Sequence, residues 1–176
     1  MPVKNREEIF VRLLSHVRQG TERTATILQE LAEAAQNQEI REALQARAFI
    51  SQKTLATIDE AFKQISQKPV KLSGHLHDIF VEDFRRELSE IQSPEAKLLF
   101  ILAKAHQLVE LRVAEYVTMI AAADASGYYS VGILLESCLA DLLAFTERAR
   151  RLIRHLVEAR VAAATAGSGV SCMLRG

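Results

Sequence analysis

One histidine and two carboxylates are the residues of this chain that come closest to a redox metal site. His106 precedes Glu110 by four residues, which places both side chains on one face of a helix. Asp141, on a later helical stretch, would add a second carboxylate. Iron and manganese in proteins take such oxygen and imidazole ligands. If the three side chains converge, they predict an Fe- or Mn-binding oxidoreductase, or a metal store.

The full ligand pattern of a di-metal helical bundle is missing from the sequence. Such a bundle takes a Glu from each of two helices and an E-x-x-H motif from each of the other two. No E-x-x-H motif occurs in the 176 residues. A metal centre here would therefore need relocated ligands, and His106, Glu110 and Asp141 are the set that remains.

Other reactive groups have simpler interpretations. His75 and His77 stand two residues apart, so they do not share a helix face, and they favour a capping role over metal binding. Cys138 falls in an apolar stripe, while Cys172 lies in the C-terminal tail with no histidine or acid nearby to activate it. No G-x-S-x-G motif and no glycine-rich phosphate loop is present. Nucleophilic catalysis is not predicted.

A cluster of arginines ends the last predicted helix. It could bind a phosphate or an acidic surface, but cations also favour a helix C-terminus and solvate its outer face. The second explanation is preferred. The arginines are Arg148, Arg150, Arg151, Arg154 and Arg160.

Composition predicts one all-α domain. Hydrophobic residues make up 49% of the chain, with only 7 Gly, 3 Pro and no Trp. The 22 basic residues balance 22 acidic ones, which argues against non-specific electrostatic binding of nucleic acid. The polar N-terminus is unlike a signal peptide, and no apolar run approaches a membrane span. We expect a cytoplasmic protein that binds neither nucleic acid nor a membrane.

Four long helices and one short one can be placed by their apolar spacing and their caps. Two antiparallel hairpins joined by a long crossover give a ferritin-like four-helix bundle over residues 1–164. Residues 165–176 are predicted to be a mobile tail. The expected boundaries are a start at Asn5, a break at 36–38 with Asn37 as N-cap, a crossing segment at 67–75, a short helix at 76–90, a start at Ser93–Pro94 and an end at Gly127.

Short stretches spread over about residues 3–155 carry a family likeness. Together they resemble the YciE/YciF family of ferritin-like bacterial stress proteins, which implies a bundle derived from di-iron proteins. The matching stretches are Glu7–Ser15, Leu28–Ala32, Ala43–Leu44, Ile58–Asp59, Ala114 with Tyr116 and Thr118, Gly127–Tyr128, and Leu134–Leu135 with Leu139.

The resemblance also implies where metal ligands would stand in this chain. Those positions hold Thr21, Phe49, Gln52, Val109 and Leu142, and only Asp141, beside Leu142, keeps a carboxylate. Phe49 and Val109 are the kind of residue that fills a core once a metal has been lost. The likeness therefore predicts a degenerate centre without metal or other cofactor.

The fourth long helix predicts self-association. Between Val131 and Phe145 it is apolar on nearly all faces, whereas a bundle helix buries one stripe. Its surplus apolar residues would form an exposed patch on a monomer. We expect a homodimer interface at Ile133, Leu139, Ala140, Leu143 and Ala144.

Three functions are then open. The preferred one is a non-catalytic structural or interaction protein that is stress-associated and forms a homodimer. Such a protein could also bind a further protein partner, which the sequence does not identify. The second is the metal enzyme or store with relocated ligands. The third is a binder of a small apolar ligand, which requires a cavity between Thr21, Phe49, Val109 and Leu142.

Overall fold

Five helices make up the chain, in the predicted order. The structure is a computed structural model that describes residues 3–170, with side chains described as far as residue 159. Four of the helices are long, and the short α3 lies in the crossover between the two halves. The helices are α1 (Arg6–Ala34), α2 (Gln38–Gln64), α3 (His75–Glu90), α4 (Pro94–Ala125) and α5 (Tyr129–Val170).

Side-chain caps begin three of these helices where the sequence predicts. Asn5 Oδ1 accepts a hydrogen bond from the Glu8 backbone N–H at 2.8 Å, and Asn37 Oδ1 accepts from Ile40 N–H at 3.0 Å. Ser93 does the same for the helix that starts at Pro94. These caps satisfy amides that have no partner within the helix, so they fix the starts of α1, α2 and α4.

The long helices form two hairpins that pack side by side. The first hairpin is α1 with α2 and the second is α4 with α5; they meet through the faces α1–α4 and α2–α5. The ring of Phe10, near the start of α1, packs at a tilted angle against that of Tyr128, just after α4, so α1 and α4 are antiparallel. It follows that α4 runs parallel to α2 and α5 antiparallel to it. This is the predicted ferritin-like topology.

The crossover helix α3 is held by few contacts. His77 and Phe84 are its two buried residues, while Leu76 and Ile79 on its outer side are exposed. Three ion pairs tie α3 to its neighbours: Asp78 with Arg23, Arg85 with Glu30 at 2.8 Å, and Glu87 with Lys104 at 2.9 Å.

Helix α5 is longer than expected. It continues to Val170, past the predicted end near residue 164, while residues 171–176, with Cys172, lie outside the described residues. By length and composition the stretch Tyr129–Ala159 could cross a membrane, which the sequence analysis did not foresee. Its buried stripe belongs to the bundle core, and a core helix passes the same test.

Candidate functional site

The expected ligand positions only partly face the centre of the bundle. Thr21, Val109 and Leu142 are buried there. Phe49 and Gln52 are not: the Phe49 side chain is 56% exposed, with Lys53 Nζ 4.6 Å from its ring centre. The expectation that Phe49 fills the centre was wrong.

The error on α2 is one residue in register. Ala48 and Ser51 are the buried pair with the i, i+3 spacing, and each lies one position before an expected residue. One residue turns a helix by about 100°, which moves a side chain from the core to the surface.

The three relocated ligands do not meet. His106 Nε2 lies 3.7 Å from Glu110 Oε1, but Arg150 Nη2 is also 3.7 Å from that oxygen. Both His106 and Glu110 are only half-buried. Asp141 is exposed. Within the part of the chain that the structure describes, no three His, Cys, Asp or Glu side chains are placed to hold a metal ion.

Two arginines occupy the interior instead. Arg47 on α2 is 3% exposed and Arg112 on α4 is 1% exposed. Sequence reasoning missed both, although Arg112 had a signal: it follows Val109 by three residues and precedes Tyr116 by four, which is core spacing. Val113, four residues after Val109, fits the same apolar spacing by residue type, but it is only half-buried.

Arg112 has a carboxylate partner. Its Nη2 donates to Glu115 Oε1 at 2.7 Å, and its Nη1 lies 2.6 Å from Glu115 Oε2 in an ion-pair contact whose angles do not meet hydrogen-bond geometry. The guanidinium packs against the bare backbone of Gly20. Burial raises the pKa of Glu115 to about 6, although Arg112 counteracts it.

Arg47 has no comparable partner. Its Nε and Nη1 are buried, and neither has a hydrogen-bond acceptor among the described residues. Burial lowers its pKa, and nearby Asp141 works in the opposite direction. Arginine nonetheless stays protonated in proteins, so the interior carries a full positive charge at this point.

The remaining titratable groups at the centre are held neutral. Tyr116 Oη and Thr21 Oγ1 share a hydrogen bond of 3.1 Å, and burial raises the pKa of Tyr116. Burial also raises the pKa of the Cys138 thiol to about 11, with Asp141 adding to the effect. Neither group ionises near neutral pH, so neither offers a nucleophile or a base there.

Two clefts lie at the sides of the bundle. One of about 590 Å³ runs between α1 and α3, and one of about 320 Å³ between α1 and α4. Neither is lined by Thr21, Phe49, Val109 or Leu142, the residues expected to border an apolar cavity. That cavity is not formed as expected, because Phe49 points outward and the other three are packed in the core.

Comparison with protein families places the chain. Residues 5–163 match the family described as "Domain of unknown function (DUF892)". The chain belongs to the DUF892 family.

A stress protein of Escherichia coli is similar to this chain in sequence and in fold. Protein YciF of Escherichia coli K12 is 22% identical over 142 residues, which cover 80% of this chain and 86% of YciF. The crystal structure of that stress protein superposes with a TM-score of 0.83, covering 89% of this chain and 99% of YciF.

Two further structures superpose on the chain. YcfI from Rhodopseudomonas palustris gives a TM-score of 0.80 at 21% identity, covering 84% of this chain and 94% of YcfI. A protein from Xanthomonas campestris gives 0.69 at 17% identity, covering 90% and 95%. These likenesses confirm the resemblance and the ferritin-like fold.

The centre of this DUF892 chain does not fit the metal pair that a ferritin-like bundle implies. Carboxylates and imidazoles would have to converge between the four long helices. In the described part of these helices the buried polar side chains are instead hydroxyls and two guanidiniums, Arg47 and Arg112. A guanidinium cannot give a lone pair to a metal, and its charge repels a cation.

Proposed function

We propose that the protein is a non-catalytic scaffold of the DUF892 family that binds no metal and assembles as a homodimer through α5. The observation that carries the first half is the pair of buried arginines, Arg47 and Arg112, inside the bundle. The unit positive charge of Arg47, which has no ion-pair partner, repels a divalent ion, and Arg112 already holds the Glu115 carboxylate that a metal would need as a ligand. The similarity of this chain to the E. coli stress protein favours a stress-associated interaction role.

The chemistry of the centre supports a non-catalytic role. Tyr116 and Cys138 have raised pKa values, and Glu115 is engaged by Arg112. A general acid or base has to reach a substrate and exchange a proton near the working pH. Tyr116, which is 1% exposed, cannot be reached without opening the bundle.

The surface of α5 supports a homodimer. Ile133 is 66% exposed and Leu143 is 49% exposed, and Ala140 and Ala144 are exposed with them. Spacings of three, four and seven residues put these four on one side of the helix. Leu139, expected in the same surface, is half-buried against the core and would contribute less.

The charges that flank this apolar face fit a second copy of the chain. Glu136 lies before the centre of the face, and Arg148 lies after it; both are exposed. If a second α5 packs antiparallel across a twofold axis near residue 142, Glu136 of each copy meets Arg148 of the other. A twofold interface requires this kind of self-complementary surface.

Metal content tests the first half of the proposal. The protein is purified without chelator, loaded anaerobically with Fe(II) or Mn(II), desalted and analysed for metal. We expect well below one equivalent per chain. Stoichiometric metal that is lost in His106→Ala or Asp141→Ala would make the metal enzyme or store the better function.

Light scattering tests the dimer. Leu143→Glu and Ala140→Glu should each convert the dimer to a monomer with unchanged helix content, because a carboxylate would be buried without a partner. Ile79→Glu, at an exposed apolar position on α3, is the matched control and should leave the mass unchanged. A monomeric wild-type protein, or dimers in both α5 variants, would exclude this interface.

A further inference from the structure

Arg47 carries a buried charge that the chain does not neutralise. The nearest acid on its side of the bundle, Asp141, affects its pKa, yet Asp141 is exposed and forms no ion pair with it in the described structure. An uncompensated buried charge destabilises a fold by several kcal/mol. Arginine cannot escape this cost by losing a proton, so an anion bound from solution would lower the cost by pairing with the charge.

Three buried hydroxyl groups also lack a partner. The Oγ atoms of Thr24, Ser51 and Thr146 are buried and have no hydrogen-bond partner among the residues that the structure describes. Buried polar groups are hydrogen-bonded in the great majority of cases. Unlike the carbonyl-bonded hydroxyl of Thr54, these three remain able to donate.

The helix register places these groups at one level of the bundle. Thr24 and Arg47 are nearly equidistant in sequence from the loop at residues 35–37, so they lie level on the antiparallel α1 and α2. Ser51 follows Arg47 by one turn on the same face. On α5, Cys138 lies beside Thr57 of α2, and Thr146 follows Cys138 by eight residues. Because α2 and α5 are antiparallel, Thr146 is level with the α2 position eight residues before Thr57, which falls between Arg47 and Ser51.

We propose that this level of the bundle binds one small monovalent inorganic anion, of the halide class, on the guanidinium of Arg47. The hydroxyls of Ser51, Thr24 and Thr146 supply further donors around it. One uncompensated positive charge matches one negative charge. The ligand has to be small, because Arg47 is only 3% exposed and lines neither cleft.

The second buried arginine does not compete for this role. Arg112 already has the Glu115 carboxylate on two of its nitrogens, so its charge is balanced. The two arginines therefore differ in the one property that matters for anion binding. This difference also supplies a test, since only Arg47 should respond to the anion.

Thermal unfolding in bromide measures the binding. The wild-type chain is compared in sodium bromide and in sodium gluconate of equal ionic strength, because gluconate is too large for a packed interior. We expect a melting temperature several degrees higher in bromide, since a ligand that binds only the native state stabilises it. Arg47→Met should lose this difference, while Arg12→Met, at an exposed arginine of α1, should keep it.

A bromide-soaked crystal gives the direct observation. We expect one anomalous peak within contact distance of the Arg47 guanidinium, absent from Arg47→Met. If that variant fails to fold, Ser51→Ala should show a smaller bromide effect than wild type. Equal melting temperatures in the two salts, or bromide only at exposed arginines (an adventitious ion only), would overturn the proposal.

Discussion

The guanidinium of Arg112 fills the space that a side chain at Gly20 would need. A Cβ atom built on Gly20 would lie 1.3 Å from Arg112 Nη1, far inside any possible contact distance. Glycine in the middle of a helix lowers stability by about 1 kcal/mol relative to alanine. The chain carries that penalty at α1 because the close approach lets Arg112 pack inside the bundle, where Glu115 binds it.

Gly20→Ala should therefore destabilise the protein despite the better helix former. Displacing a buried, ion-paired arginine costs more than the gain in propensity, so we expect a net loss of about 1–3 kcal/mol in the free energy of unfolding. Urea denaturation measures it. Gly132→Ala is the matched control, because its Cβ would meet only the carboxylate of the exposed Asp124 at 3.1 Å and Ala123 at 3.9 Å. A control that loses as much as Gly20→Ala would contradict this explanation.

The fold was predictable because its signals are local. Asn5, Asn37 and Ser93 cap helices where the sequence places them, and the 3–4 spacing of apolar residues gives four stripes whose short loops require hairpins. The end of α5 was missed because an alanine-rich run has no apolar period, although it has a high helix propensity.

The centre was less predictable, since it depends on one-residue register and on long side chains. Phe49 and Ala48 are neighbours in sequence but lie on different sides of α2. Arginine is typical of protein surfaces, so residue type alone places Arg47 and Arg112 there. The burial of Arg112 depends on the space that Gly20 leaves on another helix. Such long-range complementarity has no local sequence pattern.

Phe49→Ala tests the corrected register. Because the Phe49 side chain is mostly exposed, its removal should cost less than about 1 kcal/mol. Phe62→Ala on the same helix removes a ring that is 2% exposed and should cost about 3–5 kcal/mol. Guanidinium chloride midpoints of the two variants give the comparison. Similar losses in both would restore Phe49 to the core.

The hydrogen bond between Tyr116 and Thr21 joins α4 to α1 at the centre. Tyr116→Phe removes it and leaves Thr21 Oγ1 without this partner, so we expect a loss of about 1–2 kcal/mol in stability. Thr21→Val should cost a similar amount. The double variant should cost less than the sum, since both changes remove one interaction. Strict additivity in urea denaturation would show that the bond contributes nothing.

The buried imidazole of His77 should make stability depend on pH. Burial, together with the nearby charges of Arg112 and Arg23, lowers the pKa of His77 to about 4, although Asp78 acts in the opposite direction. The unfolded chain takes up this proton near pH 6.5, well before the native protein does. Stability is therefore full above pH 6.5 and is lost as the pH falls towards 4, by at most about 3 kcal/mol.

Glu115 acts with the opposite sign over part of this range. Its pKa of about 6 in the native protein exceeds the ordinary value of 4.5, so its protonation stabilises the fold as the pH falls between them. The shift at His77 is larger, and His16, whose pKa burial also lowers, adds to it. We therefore expect a net loss of stability towards pH 4.

His77→Gln isolates this contribution. The variant removes the titrating imidazole, so urea denaturation at pH 7, 6, 5 and 4 should show a shallower decline than in wild type. His75→Gln, two residues earlier on the exposed side of α3, is the control and should keep the wild-type decline. Because α3 is held by few contacts, hydrogen exchange of its amides should rise along with the loss in wild type. If wild type and His77→Gln decline in parallel, His77 does not couple the docking of α3 to pH.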